Sequence, residues 1–164
     1  MDRHLFVSQF GGVFEHSPFI AERAFDQGLV EEPMTLAGVH GGLCLVFRQA
    51  SHIERLGVLR AHPDLAGKLA IAGELTQDSK NEQAGAGLDR LSAEEHARFT
   101  ALNSTYTEKF GFPFIVAVKG LTKNDILEAF EARINNGSDA EFATACSQVE
   151  KIARLRIEAI LTKD

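Results

Sequence analysis

A histidine, a glutamate and an arginine occur in sequence contexts that suggest chemistry. His62 ends an apolar helical run and is followed directly by Pro63, in the stretch RAHPDLAGK. Proline fixes its own φ and has no N–H, so the backbone beside this imidazole is stiff. An imidazole with an ordinary pKa of about 6.5 exchanges protons at neutral pH. His62 is therefore a candidate acid or base, and the alternative is a helix-terminal histidine favoured by the helix dipole.

Glu82 lies in SKNEQAGAGL, where Ser79 and Glu82 have the spacing of a capping box. The AGAG that follows is unusual inside a helix, because each glycine costs about 1 kcal/mol relative to alanine. Small residues at such a cost indicate that another helix or a ligand packs closely against them, and helix packing is the simpler interpretation. For Glu82 itself, the capping box is the stronger interpretation at this point.

Arg156 falls in the middle of the apolar side when residues 149–161 are projected on a helix, between Ile152 and Ile160. An unpaired charge buried there would be very costly, so the guanidinium must be paired, reach the edge of the apolar side, or bind a ligand. Arginine is also the best bidentate receptor for a carboxylate. An internal salt bridge and a ligand-binding role are thus equal alternatives.

Capping signals predict the helices that would position these residues. The expected helix starts are Ser17 with Pro18, Ser51 with Glu54, Ser92 with Glu95, Thr122, and Ser138 with Glu141. The helix from Ser51 should run to about Ala61 because Pro63 stops it, and the helix from Ser92 should end at Gly111. The glycine pair at 41–42 weakens a helix prediction for residues 35–50.

Residues 112–120, FPFIVAVKG, depart from the helical pattern. They are β-branched, bounded by Pro113 and Gly120, and too short for a typical helix. We expect an extended, buried segment near 112–118, and no partner strand is evident for it. The predicted fold class is therefore all-α, a compact multi-helix domain over residues 1–164, since no repeat or linker interrupts the chain.

Composition and charge exclude several classes of protein. The chain has 164 residues and a formal net charge of −6 without a basic block, so we expect no nucleic-acid partner. No apolar run approaches the roughly 20 residues of a membrane span. The N-terminus lacks an apolar signal region and LTKD is no peroxisomal address, which favours a cytoplasmic location. Cys44 and Cys146 lie in apolar stretches, so we expect buried thiols without a disulfide.

Signatures of metals and cofactors are also missing from the sequence. The six histidines show no HxxxH or HxH spacing, and no CxxC occurs. GAGLDR, residues 85–90, lacks the third glycine of a dinucleotide fingerprint and follows no strand. We therefore expect neither a metal nor a cofactor.

Three motifs, HPDLAGK, SKNEQAGAGLDRLS and LNSTYTEKFGFPFIVAVKG, resemble in order and spacing the 2-oxo-4-hydroxy-4-carboxy-5-ureidoimidazoline (OHCU) decarboxylases of urate breakdown. FEHSPFIAERAF and KIARLRIEAIL extend the resemblance to nearly the whole chain, with Phe19 where many members have tryptophan. The resemblance implies the compact all-α fold of that family, commonly a homodimer. It also implies a cofactor-free decarboxylation that yields (S)-allantoin and CO2.

The resemblance also implies roles for individual residues. It places the family's catalytic histidine at His62, its glutamate at Glu82 and its substrate-binding arginine at Arg156. His62 would act as acid or base at the leaving carboxylate, Glu82 would orient the substrate, and Arg156 would anchor it. Further substrate-binding positions are implied at Pro63, Ser79, Phe112, Phe114, Ile115 and Val116, the last four through backbone groups. Urate oxidase and hydroxyisourate hydrolase would be pathway neighbours, with no contact indicated.

Other functions stay open at this point. A non-catalytic helical module could bind a small ureido or carboxylate ligand with the same residues. A purely structural helical dimer would use Glu82 as a cap and Arg156 as a salt bridge. Within the enzyme class, a related ureidoimidazoline acid is an alternative substrate.

Overall fold

The computed structural model describes residues 1–163, which contain nine α-helices and no strand. The all-α fold class predicted from the sequence is confirmed. The helices are α1 (Arg3–Phe10), α2 (Phe19–Asp26), α3 (Leu36–Gln49), α4 (His52–Ala61), α5 (Lys68–Ile71), α6 (Gln77–Gly85), α7 (Ala93–Phe110), α8 (Lys123–Arg133) and α9 (Ser138–Leu161).

The described residues divide into two compact units, which we name by their position in the chain. The terminal unit consists of Met1–Ala61 and the described residues from Ser147 onward. The central unit consists of His62–Cys146. The first part of α9 therefore belongs to the central unit and the rest to the terminal unit.

The core of the terminal unit is rich in aromatic rings. The ring centroids of Phe6 and Phe10 lie 5.0 Å apart, and those of Phe14 and Phe47 lie 5.4 Å apart. All four side chains are buried. Tilted ring pairs at such distances add to the stabilisation that comes from burying their apolar area.

The glycine pair that weakened the helix prediction lies inside α3, a helix of 14 residues. A Cβ at Gly42 would lie only 2.9 Å from the carbonyl oxygen of Leu29 and 2.9 Å from Val30 Cγ2. Glycine is therefore needed at this position, because Leu29 and Val30 pack directly on the backbone of α3. This packing offsets the low helix propensity of glycine, which the sequence alone had weighed against a helix.

The core of the central unit centres on Tyr106 of α7. Its ring lies 5.9 Å from Phe112, 5.4 Å from Phe114 and 5.8 Å from Phe130, centroid to centroid. Phe114 stacks on Phe130 at 3.9 Å with an interplanar angle of 8°. Residues 113–118 lie in neither a helix nor a strand, and most of their side chains are buried. The predicted buried, non-helical segment near 112–118 is thus confirmed.

Three of the predicted helix caps are correct. Ser51 with Glu54 and Ser92 with Glu95 form reciprocal capping hydrogen bonds. Thr122 caps α8 in the same way. α7 ends where predicted, at Gly111, which has a left-handed φ of 80°. Local capping chemistry alone determined these boundaries.

The predicted cap at Ser17 is wrong. Helix α2 begins at Phe19 after Pro18, which occupies the cap position without a side-chain hydrogen bond. The Ser17 hydroxyl instead donates to the carbonyl oxygen of Glu15 at 2.9 Å. The Ser17 hydroxyl is therefore bonded within the preceding turn and does not cap the helix as the sequence had predicted.

The predicted capping box of Ser79 and Glu82 is also wrong. Thr76 caps α6, and its Oγ1 accepts from the backbone N–H of Ser79 at 3.2 Å. Ser79 and Glu82 consequently lie inside the helix. Close packing against the AGAG stretch is wrong as well, because a Cβ at Gly85 or Gly87 would meet nothing within 4 Å. These glycines lie at the end of α6, where Gly87 has a φ of 78°.

At the start of α9, Ser138 is the first helical residue, as expected. Glu141, however, does not close a capping box. Its carboxylate accepts hydrogen bonds from Tyr106, Arg133 and Asn136. A tertiary network therefore takes the side chain that local spacing had assigned to a cap.

Two further findings concern membranes and disulfides. Of the helices formed by residues 1–163, none has the length and apolar character needed to cross a membrane. Cys44 and Cys146 are buried, and neither forms a disulfide, as predicted. Burial raises the pKa of Cys44 to about 12, so its thiol is uncharged at neutral pH.

Candidate active site

The predicted site residues are distributed over both units. His62, which is 7% exposed, and Ser79 are buried in the central unit, whereas Pro63 and Glu82 are half-buried there. The same unit contains the four positions of the non-helical segment, of which Val116 is half-buried and the others are buried: Phe112, Phe114, Ile115 and Val116. Arg156 is buried in the terminal unit.

His62 begins a tight loop between α4 and α5. Ala66 in this loop has a left-handed φ of 52°, which costs an L-residue roughly 1–2 kcal/mol. A Cβ at Gly67 would lie 2.6 Å from Asp64 Cβ, so only glycine fits there. The AG of HPDLAGK is therefore part of a compressed turn, and this turn needs contacts from elsewhere to hold it.

Two buried amide side chains supply those contacts, and we call Gln83 and Asn103 the amide clamp. Gln83 Oε1 accepts from the N–H of Ala66 at 3.0 Å, and Gln83 Nε2 donates to the carbonyl of Asp64 at 3.3 Å. Asn103 Nδ2 donates to the carbonyl of Leu65 at 2.9 Å. Three consecutive residues of the loop are thus bonded to side chains from α6 and α7.

The non-helical segment is held by charged groups instead. Arg133 Nη1 donates to the carbonyl of Ile115 at 2.6 Å, and its guanidinium lies 4.5 Å from the centroid of Phe114. Arg133 Nε donates at 2.6 Å to Glu141, which is completely buried. The hydrogen bond from Arg133 to Ile115 fixes the backbone of this segment, whose backbone groups the resemblance assigns to substrate binding.

Glu141 is bonded on both carboxylate oxygens. Tyr106 Oη donates to Oε1 at 2.6 Å and Asn136 Nδ2 donates to Oε2 at 3.1 Å. Burial, and then the hydrogen bond to Glu141, raises the pKa of Tyr106 above its ordinary value. The phenol is therefore protonated at neutral pH and acts as the donor in this pair.

Helix α7 contacts both of these parts of the central unit. Asn103 bonds the loop that follows His62, and Tyr106, three residues later, packs against Phe112 and Phe114. Residues three apart lie on the same side of a helix. One side of α7 therefore carries both the His62 loop and the segment near 112–118.

Arg156 forms the ion pair that the sequence left as one of two alternatives. Its Nη1 lies 3.6 Å from Glu15 Oε1 and donates to the carbonyl of Gly12 at 3.1 Å. The side chains of Arg156 and Glu15 are 4% and 3% exposed. Substrate binding by Arg156 stays a prediction.

Sequence reasoning missed four polar residues that the structure makes important. Asn103 is four residues after Phe99 and three before Tyr106, which places an amide on the buried side of α7, as with Arg156 on its own helix. Glu141 is similarly four residues before Ala145, which is fully buried. That criterion would have found both residues. No comparable signal marks Gln83 or Arg133.

The central unit thus contains the imidazole of His62, the half-buried carboxylate of Glu82 and the non-helical backbone of residues 113–118. These groups are suited to binding and to proton transfer. Residues 1–163 contain no cluster of three or more His, Cys, Asp or Glu side chains placed to hold a metal ion. The chemistry available from these side chains is acid–base catalysis and hydrogen bonding to a polar substrate.

Comparison with known proteins identifies relatives along almost the whole chain. A sequence model of a family described as OHCU decarboxylase matches residues 1–158. The 2-oxo-4-hydroxy-4-carboxy-5-ureidoimidazoline decarboxylase of Halalkalicoccus jeotgali is 41% identical over 160 residues, which are 97% of this chain and 86% of that protein.

Two longer proteins are similar over part of their length. The uric acid degradation bifunctional protein PucL of Bacillus subtilis is 36% identical over 163 residues, covering 99% of this chain and 32% of that protein. The crystal structure of an (S)-allantoin synthase superposes with a TM-score of 0.76 at 28% identity, covering 98% of this chain and 51% of that one. The present chain therefore spans about half of that synthase.

Proposed function

The chain belongs to the OHCU decarboxylase family, and we propose that it converts 2-oxo-4-hydroxy-4-carboxy-5-ureidoimidazoline to (S)-allantoin and CO2 in urate degradation. The single observation that carries this proposal is the family match over residues 1–158. The likeness to a protein described as an (S)-allantoin synthase supports the handedness of the product. The activity is that of a carboxy-lyase.

The substrate supplies its own electron sink, so the reaction proceeds without a cofactor or a metal. Its carboxylate is attached to a carbon next to a C=N bond, and this bond accepts the electron pair when the C–C bond to CO2 breaks. A proton is then added to one face of the carbon that carries the ureido group. The protein must hold the substrate, desolvate the carboxylate and control that proton.

His62 handles the proton beside the leaving carboxylate. This role is supported by the position of His62 at the start of a loop held by two buried amides, and by the ability of an imidazole to act as an acid or a base. Glu82, which is half-buried in α6, accepts hydrogen bonds from N–H or O–H donors of the substrate and orients it. General acid–base catalysis of this kind contributes about 10²–10⁴-fold.

Arg156 anchors an anionic or carbonyl edge of the substrate by bidentate hydrogen bonds. Its support is that a buried guanidinium is held in one orientation by the carbonyl of Gly12. Pro63 forms part of the pocket wall and the Ser79 hydroxyl lines the pocket. Backbone groups of the non-helical segment bind the ring and ureido amides, at Phe112, Phe114, Ile115 and Val116.

Three wider proposals complete the assignment. Residues 1–164 act as one OHCU decarboxylase-like domain, which a single cooperative unfolding transition would support. The protein is a cytoplasmic homodimer, and sedimentation equilibrium tests the dimer. Urate oxidase and hydroxyisourate hydrolase are its pathway neighbours, and the likeness to a bifunctional uric acid degradation protein supports that placement.

The decisive test forms the unstable substrate from urate with urate oxidase and hydroxyisourate hydrolase, then follows the circular dichroism of the product with time. Rapid formation of one allantoin enantiomer, unchanged by a chelator, is the expected result. A signal no faster and no more handed than that of the blank would contradict the proposal. Binding of allantoin without turnover would then favour a non-catalytic binding module.

A further inference from the structure

We propose that the amide clamp, Gln83 and Asn103, positions His62 for the decarboxylation by fixing the backbone of residues 64–66. The inference rests on the proposed role of His62 in the reaction. The amide side chains act through the loop and are positioning residues, since the contacts that define them are to backbone groups.

The loop depends on the clamp for the hydrogen bonds of its backbone. Within residues 1–163, residues 64–66 form no backbone–backbone hydrogen bond, and Ala66 is held in a left-handed conformation. Buried backbone groups need partners. The partners are the side chains of Gln83 and Asn103, which are 6% and 7% exposed. Removing these side chains would leave the N–H of Ala66 and the carbonyls of Asp64 and Leu65 without the hydrogen bonds that they form among residues 1–163.

The side-chain amide of Gln83 matches the two backbone groups that it binds. Gln83 must accept from the N–H of Ala66 and donate to the carbonyl of Asp64 at the same time. A carboxamide carries an acceptor and a donor side by side, whereas a carboxylate only accepts and an ammonium only donates.

Glu82 and Gln83 are neighbours in the sequence of α6. Gln83 ties the loop of His62 to α6, and α6 is the helix that carries Glu82. The clamp therefore fixes the backbone that carries the imidazole relative to the backbone that carries the carboxylate. A displacement of about 1 Å between groups that act on one substrate can cost about 100-fold in rate.

The kinetic test compares Gln83→Met and Asn103→Ala with matched controls. Gln77→Met changes an exposed glutamine of the same helix, and Ser104→Ala changes the exposed neighbour of Asn103 on α7. Removing either clamp residue should lower kcat about 10- to 100-fold with KM changed less than about threefold. The controls should match the unaltered protein. A kcat within twofold of the controls for both clamp variants would overturn the proposal.

A conservative variant tests the donor–acceptor argument. In Gln83→Glu, the introduced carboxyl offers an O–H to Asp64 and a C=O to Ala66 only while it is protonated. Its kcat relative to the unaltered protein should therefore recover as the pH falls. A ratio that stays constant or declines on acidification, with the fold intact by circular dichroism, would contradict the clamp.

An epistasis test separates positioning from direct contact with substrate. If the clamp acts through His62, Gln83→Met should lower turnover by less than about twofold in a His62→Asn background. Multiplicative losses would mean that Gln83 acts independently of His62, and would overturn the proposal. Full turnover in His62→Asn alone would instead refute the proposed role of His62.

A structural readout keeps the inference testable even if the proposed function fails. Amide hydrogen exchange at Ala66 should be protected in the unaltered protein and in Gln77→Met, and should accelerate in Gln83→Met. The imidazole NMR signals of His62, assigned with His62→Asn, should broaden or split in the same variant. Unchanged exchange and unchanged His62 signals would show that the clamp does not hold this loop.

Discussion

Each of the two compact units contains an arginine–glutamate pair with a buried glutamate, and the two pairs differ in construction. In the central unit, Arg133 and Glu141 are 2.6 Å apart, and the carboxylate also accepts from Tyr106 and Asn136. In the terminal unit, the shortest contact between Arg156 and Glu15 is 3.6 Å, which is longer than a hydrogen bond.

If Arg156 binds the substrate as proposed, the two pairs differ in role as well as in construction. Removing one partner of a tight, buried pair leaves an uncompensated charge and costs about 3–5 kcal/mol. Arg133 of the tight pair also donates to the Ile115 carbonyl, so this pair stabilises the structure of the central unit. The longer Arg156–Glu15 contact requires less rearrangement if Arg156 is to accept a substrate carboxylate, as proposed.

The largest expected effect on stability is at the tight pair. Arg133→Met should lower the free energy of unfolding by about 3–5 kcal/mol, because it leaves the buried Glu141 carboxylate without its cation. Urea unfolding followed by circular dichroism measures this change. Arg98→Met is a suitable control, since Arg98 pairs with Glu131 at the exposed surface. Equal losses in the two variants would contradict the structural assignment.

A smaller loss is expected from Tyr106→Phe, which removes one donor to Glu141 and leaves the ring contacts in place. A hydrogen bond to a buried charged group contributes roughly 1.5–3 kcal/mol, and we expect a loss in that range. Thermal and urea unfolding measure it. A loss below about 0.5 kcal/mol would mean that the network does not depend on the phenol.

Arg156→Lys tests the other side of the comparison. Lysine keeps the positive charge near Glu15 but lacks the planar fork that binds a carboxylate bidentately. We expect KM to rise about tenfold or more, with a smaller loss of stability than in Arg133→Met, because lysine retains the charge beside Glu15. Steady-state kinetics and urea unfolding give the two numbers. A large loss of stability with KM unchanged would make Arg156 a structural residue like Arg133.

Asp64 provides the smallest effect and a contrast to both pairs, because it is a carboxyl without an ion pair among residues 1–163. Burial raises the pKa of Asp64 above its ordinary value of 3.8. The folded state therefore binds more protons than the unfolded state just above that pH, and stability falls as the pH rises through this interval.

Asp64→Asn removes this titration. The variant should melt at a higher temperature than the unaltered protein at neutral pH, and the difference should disappear below pH 3.8. Thermal denaturation over a series of pH values measures it. A gain that is independent of pH would point to a cause other than the carboxyl charge.

Part of this fold could be predicted because its causes are local. The capping boxes at Ser51 and Ser92 and the left-handed Gly111 are set by residues a few positions apart, and all were correct. The burial of Arg156 followed from its place on the apolar side of a helix.

The remaining features depend on partners far away in the chain. Spacing predicted Ser79 as the cap of α6, and the helix that forms is capped by Thr76. Asn103 finds its partner at Leu65, 38 residues earlier, and Glu141 finds Tyr106, 35 residues earlier. Such pairings depend on tertiary packing, so helix periodicity and capping rules do not contain them.

If the His62 loop carries the chemistry as proposed, one comparison tests this most directly. His62→Asn and the unaltered protein would be supplied with freshly generated substrate, and the rate of formation of (S)-allantoin would be measured for each by circular dichroism. We predict a fall in kcat of about 100-fold or more, with a melting temperature close to that of the unaltered protein. Retained turnover in a folded His62→Asn variant would contradict the claim.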